Sequence, residues 1–170
     1  MSRSWRRVLQ MDGAMSKPII YLAGPVRNLE DGGAGWRVAI EERYGEQYDF
    51  RNPLDKYNVP AEDLTVVSGR SDPEDESTVG TTEIVEGDKE LLRESDAVLV
   101  GHHDVQQIGT PMEVMWAYDR GYPIALVSYD VIDMADLSPW YREHVGYESF
   151  FEKDALIFLE REFSNRRSEQ

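Results

Sequence analysis

Residues 96–129, DAVLVGHHDVQQIGTPMEVMWAYDRGYPIALVSY, contain two apolar runs on either side of a segment with helical character. The runs DAVLVGHH and PIALVSY are short and apolar, which is typical of buried strands. Between them, TPMEVMWAYDRG predicts a helix that ends at Gly121. Strands that alternate with helices favour a parallel sheet with helices on both of its faces.

The same alternation continues towards both ends of the chain. Further strands are predicted in KPIIYLAGP (17–25) and QYDFRNPL (47–54), and further helices in GWRVAIEERYG (35–45), GTTEIVEGDKELLRES (80–95) and EKDALIFLEREF (152–163). We therefore predict one flavodoxin-like or Rossmann-like three-layer α/β domain over residues 15–165, with a parallel sheet of four or five strands.

Three segments lack this pattern. Residues 54–80 are polar, acidic and glycine-containing, which predicts a long mobile loop with its least ordered part at 66–80. Residues 1–14 are expected to form a loosely ordered extension, and residues 166–170 a disordered tail.

Acidic side chains dominate the charge of this chain. Its 170 residues include 33 Asp and Glu against 18 Lys and Arg, which gives a formal net charge of −15. Such a surface repels phosphate backbones, so nucleic acid is disfavoured as a partner. The scarcity of lysine and the absence of cysteine are typical of proteins from a high-salt cytoplasm. No apolar run approaches the roughly 20 residues of a membrane span, and we expect a halophilic, cytoplasmic protein without disulfides or cysteine-ligated zinc.

Glu113 is the first unusual residue, because it is an acidic side chain among apolar neighbours. Thr110, Pro111 and Glu113 fit a capping box, in which the threonine is the N-cap and the glutamate reaches back to a free backbone N–H. The first turn of a helix also favours an ionised carboxylate through its partial positive charge. The position therefore suits both a helix cap and a group that carries out chemistry.

Asp88 is the second unusual residue. It shares one predicted helical face with Ile84, Leu91 and Leu92, so an otherwise apolar stripe carries a carboxylate. Burying an ion without a partner costs several kcal/mol, and such a residue usually has a partner or a use. A shifted helix register, or a salt bridge to a nearby arginine, is the structural alternative.

Ligands of open α/β sheets bind beyond the carboxyl ends of the strands. The predicted strands bring four segments to that edge: 21–27, 52–55, 102–110 and 128–130. The P-loop and G-x-G-x-x-G glycine patterns are both absent, which excludes a nicotinamide or flavin dinucleotide site. His102 and His103 point to opposite sides of a strand and cannot easily chelate one metal ion. We expect neither a metal nor an organic cofactor.

Four segments follow one another between Lys17 and about Leu159: IIYLAGP, IVEGDKELLRESDAVLV, GTPMEVMWAYDRGYPI and SPWYREHV. In their order and spacing they resemble the nucleoside 2-deoxyribosyltransferase family. The same superfamily includes the 2′-deoxynucleoside 5′-monophosphate N-glycosidases. The resemblance implies a small-molecule substrate, either a nucleoside or a nucleotide together with a nucleobase.

The resemblance also implies roles for three residues. Glu113 matches the family's nucleophile, Asp88 the acid that handles the departing base, and Tyr21 a tyrosine that orients the nucleophile. The implied reaction passes through a glycosyl–Glu113 intermediate and moves the deoxyribosyl group to another base, as a retaining glycosidase does with water. A homodimer or higher homo-oligomer is expected, with residues 130–140 as the place where a partner chain contributes.

Substrate contacts are expected from Gly24, Arg27, Asn52, Gln107, Gly109 and Thr110. The family resemblance also concerns the position six residues before the nucleophile. Transferases of the family carry an acidic residue there, and the monophosphate glycosidases tend to carry a small hydroxyl residue. This chain has Gln107 there. Arg27 suits a phosphate or, alternatively, pairs on the surface with Glu30 or Asp31. Transfer, hydrolysis of the monophosphate and nucleotide binding without chemistry therefore all stay open.

Overall fold

The alternating strands and helices form a parallel sheet covered on both faces, as described by a computed structural model for residues 16–169. The strands are β1 (Ile19–Ala23), β2 (Asp49–Arg51), β3 (Thr65–Val67), β4 (Thr78–Gly80), β5 (Ala97–His102), β6 (Ile124–Ser128) and β7 (Tyr147–Ser149). The helices are α1 (Ala34–Tyr44), α2 (Thr81–Arg93), α3 (Gly109–Tyr118), α4 (Pro139–His144) and α5 (Glu152–Ser168).

The main sheet has five strands in the order β2-β1-β5-β6-β7, and every neighbouring pair is parallel. Numbered within this sheet alone, the order is 2-1-3-4-5, which is the flavodoxin-like arrangement. The predicted fold class is confirmed. From β1 the chain adds β2 on one side and then β5, β6 and β7 on the other, so the strand order switches between β1 and β5. The crevice at the carboxyl ends of these two strands is the expected ligand site.

The core lies on both faces of this sheet. On one face Ile20 and Leu22 pack with α1 and α5, and on the other Tyr21 and Ala23 pack with α2, α3 and α4. This division follows from the two-residue period of a strand. All six residues of β5 are buried, as expected for a central parallel strand with helices on both sides.

The segment 54–80 contradicts its prediction as a long irregular loop. It contains two short 3₁₀ turns, Pro53–Lys56 and Ala61–Asp63, and the parallel pair of β3 and β4. Strands of three residues are too short to give a periodic sequence signal. Val79 is buried at 6% exposure, so this segment contributes an apolar side chain to the interior.

The ends of the domain differ from the prediction in one respect. Helix α5 continues to Ser168, where a disordered tail was predicted from residue 166, and the Arg167 guanidinium donates to the Ser16 hydroxyl at 3.0 Å. The predicted extension 1–14 lies outside the described residues, and so does Gln170. Within residues 16–169, no helix combines the length and the apolar character that crossing a membrane requires.

Candidate active site

A cavity of about 840 Å³ opens at the carboxyl ends of β1 and β5. Its walls come from the loop after β1, residues 53–66, α2 and the turn that leads into α3. Both unusual carboxylates of the sequence, Asp88 and Glu113, line it. The volume lies within the range of about 300–1,000 Å³ that is usual for small-molecule sites.

Glu113 is held by the sheet. Tyr21 lies on β1 with no exposed surface, and its hydroxyl donates a hydrogen bond to Glu113 Oε1 at 2.8 Å. The alternation of β1 directs Tyr21 towards the face that α3 covers. Two residues separated by 92 positions in the chain therefore meet at the cavity.

The capping-box interpretation of Glu113 is wrong. Helix α3 begins at Gly109, its N-cap position is Ile108, and no side chain caps it. Thr110 is consequently inside the first turn and buried at 3% exposure. A capping box needs its acid at the third helical position, whereas Glu113 is the fifth, and its carboxylate accepts from Tyr21 instead.

The pKa of Glu113 also differs from the expectation. A place in the first turn of a helix predicts a lowered pKa, but the pKa is raised. Burial, and after it the charge of Asp88, raise the pKa of Glu113 to about 8. The Tyr21 hydrogen bond and the cations of Arg37 and Lys56 oppose this shift without reversing it. Burial outweighs the helix terminus because the carboxyl group, although it lines the cavity, is packed among protein atoms that disfavour its charged form.

Asp88 projects from α2 into the cavity and forms an ion pair with Lys56. Its side chain is 17% exposed and that of Lys56 is 21% exposed. Burial raises the pKa of Asp88, and Lys56 lowers it. Helix α2 has the predicted register. The ionic partner of Asp88 is Lys56, 32 residues away in the chain, and not the nearby arginine of the structural alternative.

Arg37 was not identified from the sequence, although it contributes a second buried cation. Its side chain has no exposed surface, and its guanidinium donates to the carbonyls of Leu22 at 3.3 Å, Gly24 at 2.8 Å and Gly33 at 2.6 Å. These bonds fix the loop after β1 that lines the cavity. The available signal was weak: Arg37 lies three residues before Ile40, on a face that is otherwise apolar.

Five of the six predicted substrate contacts line the cavity: Gly24, Arg27, Gln107, Gly109 and Thr110. Gly24 leaves no room for a side chain, because a Cβ there would lie 2.6 Å from the Trp36 ring. Asn52 is not among the residues that line the cavity, and its Oδ1 accepts from the Leu54 amide at 3.1 Å and caps a 3₁₀ turn. Its contact with a substrate stays a prediction.

Two of the five carry the polar groups that bear on specificity. Gln107 donates through Nε2 to the His103 carbonyl at 3.3 Å, and its Oε1 is buried with no partner within the part of the chain described. Arg27 is exposed at the cavity wall. Its expected surface partner Asp31 instead accepts from the amides of Gly33 and Gly35.

No family model matches this chain, and no curated protein matches it. Several solved structures are similar to it, including the following two. One is a conserved protein from Enterococcus faecalis V583, 16% identical, with a TM-score of 0.46 over 85% of this chain and 87% of that one. The other is a 2-deoxyribosyltransferase from Bacillus psychrosaccharolyticus, 20% identical, with a TM-score of 0.46 over 74% and 90%. The chemistry is therefore inferred from the side chains of the cavity.

Proposed function

We propose that this protein belongs to the nucleoside 2-deoxyribosyltransferase family, cleaves the N-glycosidic bond of 2′-deoxynucleosides and transfers the deoxyribosyl group to another nucleobase. The observation that carries the proposal is the hydrogen bond of 2.8 Å from Tyr21 to Glu113 in a cavity that Asp88 also lines. Retaining glycosidic chemistry uses two carboxyl groups that face one sugar, and the carboxyl groups of Asp88 and Glu113 line the same cavity.

In the first half-reaction, the ionised Glu113 attacks C1′ through an oxocarbenium-like transition state. The bond from C1′ to the base nitrogen breaks, a bond from C1′ to Glu113 forms, and the base leaves with a proton from Asp88. Tyr21 holds the attacking carboxylate in one orientation. In the second half-reaction a new base attacks C1′, the ester breaks, and the proton of the incoming base returns to Asp88. No metal or organic cofactor takes part.

The scheme needs a single proton shared by the two carboxyl groups. The reactive form carries it on Asp88, with Glu113 ionised. In the free protein, the pKa of about 8 for Glu113 and the ion pair of Asp88 with Lys56 favour the proton on Glu113, so it must move to Asp88 before the attack. Both carboxyl groups have a raised pKa, which favours retention of one proton near neutral pH. Two carboxyl groups that interact this closely titrate together, so their pH dependence belongs to the pair.

Hydrolysis of 2′-deoxynucleoside 5′-monophosphates is the second candidate reaction. Arg27 supports it, because its exposed guanidinium lies at the cavity wall and suits a phosphate group. The acidic chain and the carboxylates of the cavity act against an anionic substrate.

Binding without catalysis is the third candidate. Of its structural requirements, the described residues show an ion pair of Asp88 but no capping role of Glu113. This candidate needs Glu113 as a helix cap and Asp88 tied away from the cavity. Glu113 has no capping contact in the described residues, and the ion pair of Asp88 lies at the cavity itself.

The deciding experiment is incubation with each deoxynucleoside and each 5′-monophosphate, with and without a second free base, followed by chromatography of the bases. Base exchange that needs an acceptor supports transfer, and base release from the monophosphate into water supports hydrolysis. Binding with neither reaction supports the third candidate. Molar salt is the starting condition, because self-repulsion of an acidic chain weakens as salt screens its charges.

We also propose a homodimer or higher homo-oligomer. Ile132 is 96% exposed and Trp140 is 70% exposed, and both lie in the segment 130–140 expected to meet a partner. Met112, at 67% exposure on α3, adds to the apolar surface. Light scattering after size exclusion in molar salt tests this, with Trp140→Ser expected to weaken the assembly and a monomeric parent contradicting it.

A further inference from the structure

Lys56 contacts the cavity's acid directly, although it plays no part in the scheme above. It ends the 3₁₀ turn Pro53–Lys56, and its ammonium group pairs with Asp88 Oδ1. Both side chains are largely buried, and the lysine also lies 5.4 Å from the Tyr57 ring centre. The pair joins the 53–66 wall to α2.

Helix α2 is shaped to receive this lysine. Residue 87, one position before Asp88, is a glycine inside a helix, where glycine is unfavourable. A Cβ at Gly87 would lie 3.1 Å from both Cδ and Nζ of Lys56. The glycine therefore leaves the space through which the lysine side chain reaches the carboxylate.

Several charged or titratable groups surround Asp88. Glu113 faces it from α3, Tyr21 from β1, Arg37 from α1, and Lys56 and Tyr57 from the 53–66 wall. The donors of Arg37 are directed to backbone carbonyls. Among the described residues, Lys56 is the cation in direct contact with a carboxylate of the proposed catalytic pair.

We propose that Lys56 is a positioning residue that holds Asp88 at the cavity and sets the pH range in which Asp88 and Glu113 share a single proton. This inference rests on the proposed function for its kinetic consequence. A neighbouring cation makes each proton easier to lose, so its removal raises both apparent pKa values of the pair. Without the charge of Lys56, the pH range in which the pair carries a single proton should therefore move upward.

The test compares Lys56→Gln, which keeps a hydrogen-bond donor but no charge, with Lys56→Arg, which keeps the charge. Lys89→Met is the matched control, because it removes the same charge from the position next to Asp88 on α2. Lys56→Met, which keeps an unbranched stem, replaces the glutamine variant if that variant does not fold. Rates of base exchange are measured as kcat and kcat/KM against pH.

We expect both limbs of the Lys56→Gln profile to move upward by roughly one pH unit, with about a tenfold change in rate on the steep limbs. Lys56→Arg and Lys89→Met should keep the limbs of the parent. A uniform loss of rate with unmoved limbs, or an unchanged profile, would overturn the inference.

A second readout separates this inference from the proposed function. The carboxyl ¹³C shifts of Asp88 and Glu113 are titrated in the parent and in Lys56→Gln. If the parent exchanges no base but the titration midpoints rise in the variant, the proposed reaction fails while the role of Lys56 stands. Midpoints that stay in place overturn the role of Lys56 whatever the parent catalyses.

Discussion

Tyr21 and Glu113 are held by the central sheet and the helix that covers it, whereas Lys56 and Asp88 meet where the 53–66 wall contacts α2. Tyr21 has no exposed surface and Glu113 lies on a helix between two buried strands. The wall consists of two 3₁₀ turns and the start of the three-residue strand β3, with Val66 at 37% exposure. One side of the cavity is therefore fixed by packing, whereas the other combines few buried apolar side chains with the ion pair of Lys56 and Asp88.

This difference has an energetic consequence. Buried apolar side chains contribute about 1.5–3 kcal/mol each, and the sheet has many of them on both faces. The wall has few, so its position depends more on the contact of Lys56 with Asp88. We expect Glu113 to keep its geometry under conditions in which Asp88 loses its own.

The largest expected effect is on the sheet side, in Glu113→Gln. The amide still accepts a hydrogen bond from Tyr21 but cannot attack a sugar, so the rate of base exchange should fall by several orders of magnitude. Glu62→Gln is the control, because Glu62 is another carboxylate that lines the cavity and it is exposed. Chromatography of released bases measures both. Normal turnover by a folded Glu113→Gln variant would remove Glu113 from the reaction.

A pair of truncations compares the stability of the two regions. Leu99→Ala in β5 should lower the free energy of unfolding by about 2–5 kcal/mol, because Leu99 is fully buried and the deletion leaves a cavity. Val66→Ala in the wall should cost less than about 1 kcal/mol, because its side chain is partly exposed. Denaturant unfolding in molar salt gives both values, and equal costs would contradict the contrast between the two regions.

Tyr21→Phe tests the contact by which the sheet holds Glu113. Loss of a hydrogen bond to a charged group is worth about 1.5–3 kcal/mol, so the rate should fall roughly 10- to 100-fold. Tyr48→Phe is a matched control, because the Tyr48 hydroxyl donates to Glu160 at 3.0 Å on the opposite face of the sheet. Equal rates in the two variants would show that the contact of Tyr21 does not matter for the reaction.

The sheet side was also the side that the sequence predicted well. Apolar runs of five or six residues identified β1, β5 and β6, and their carboxyl ends brought Tyr21 and Glu113 to one edge. The sequence pattern does not locate the three-residue β7, and it predicts a loop where β3 and β4 lie. A regular period needs more residues than these strands contain.

The charged contacts were the least predictable part of the site. The partner of Asp88 is 32 residues away and reaches it through a wall with no periodic pattern. The guanidinium of Arg37 donates to backbone carbonyls. Every residue type has such a carbonyl, so the sequence cannot indicate these contacts. The capping-box prediction at Glu113 is wrong by helix register, because α3 begins at Gly109, one residue before Thr110, the predicted cap.

The last comparison concerns stability against pH, and it predicts a pH-dependent difference between the parent and Glu113→Gln. The folded-state pKa of Glu113 is about 8, against an ordinary value of 4.5. Between these values the folded chain holds a proton that the unfolded chain has lost, so this group reduces stability as the pH rises through that window. Glutamine has no proton to lose, and all other titrating groups are common to the two proteins.

The two melting temperatures should therefore lie close together near pH 4.5, and the variant should become the more stable one as the pH approaches and passes about 8. Thermal unfolding in molar salt across this range measures the difference. A constant offset would mean that the carboxyl group of Glu113 is as well solvated in the fold as in the unfolded chain. A widening offset would mean that the sheet side tolerates a destabilising carboxyl group at the cavity, as expected for a residue present for its chemistry.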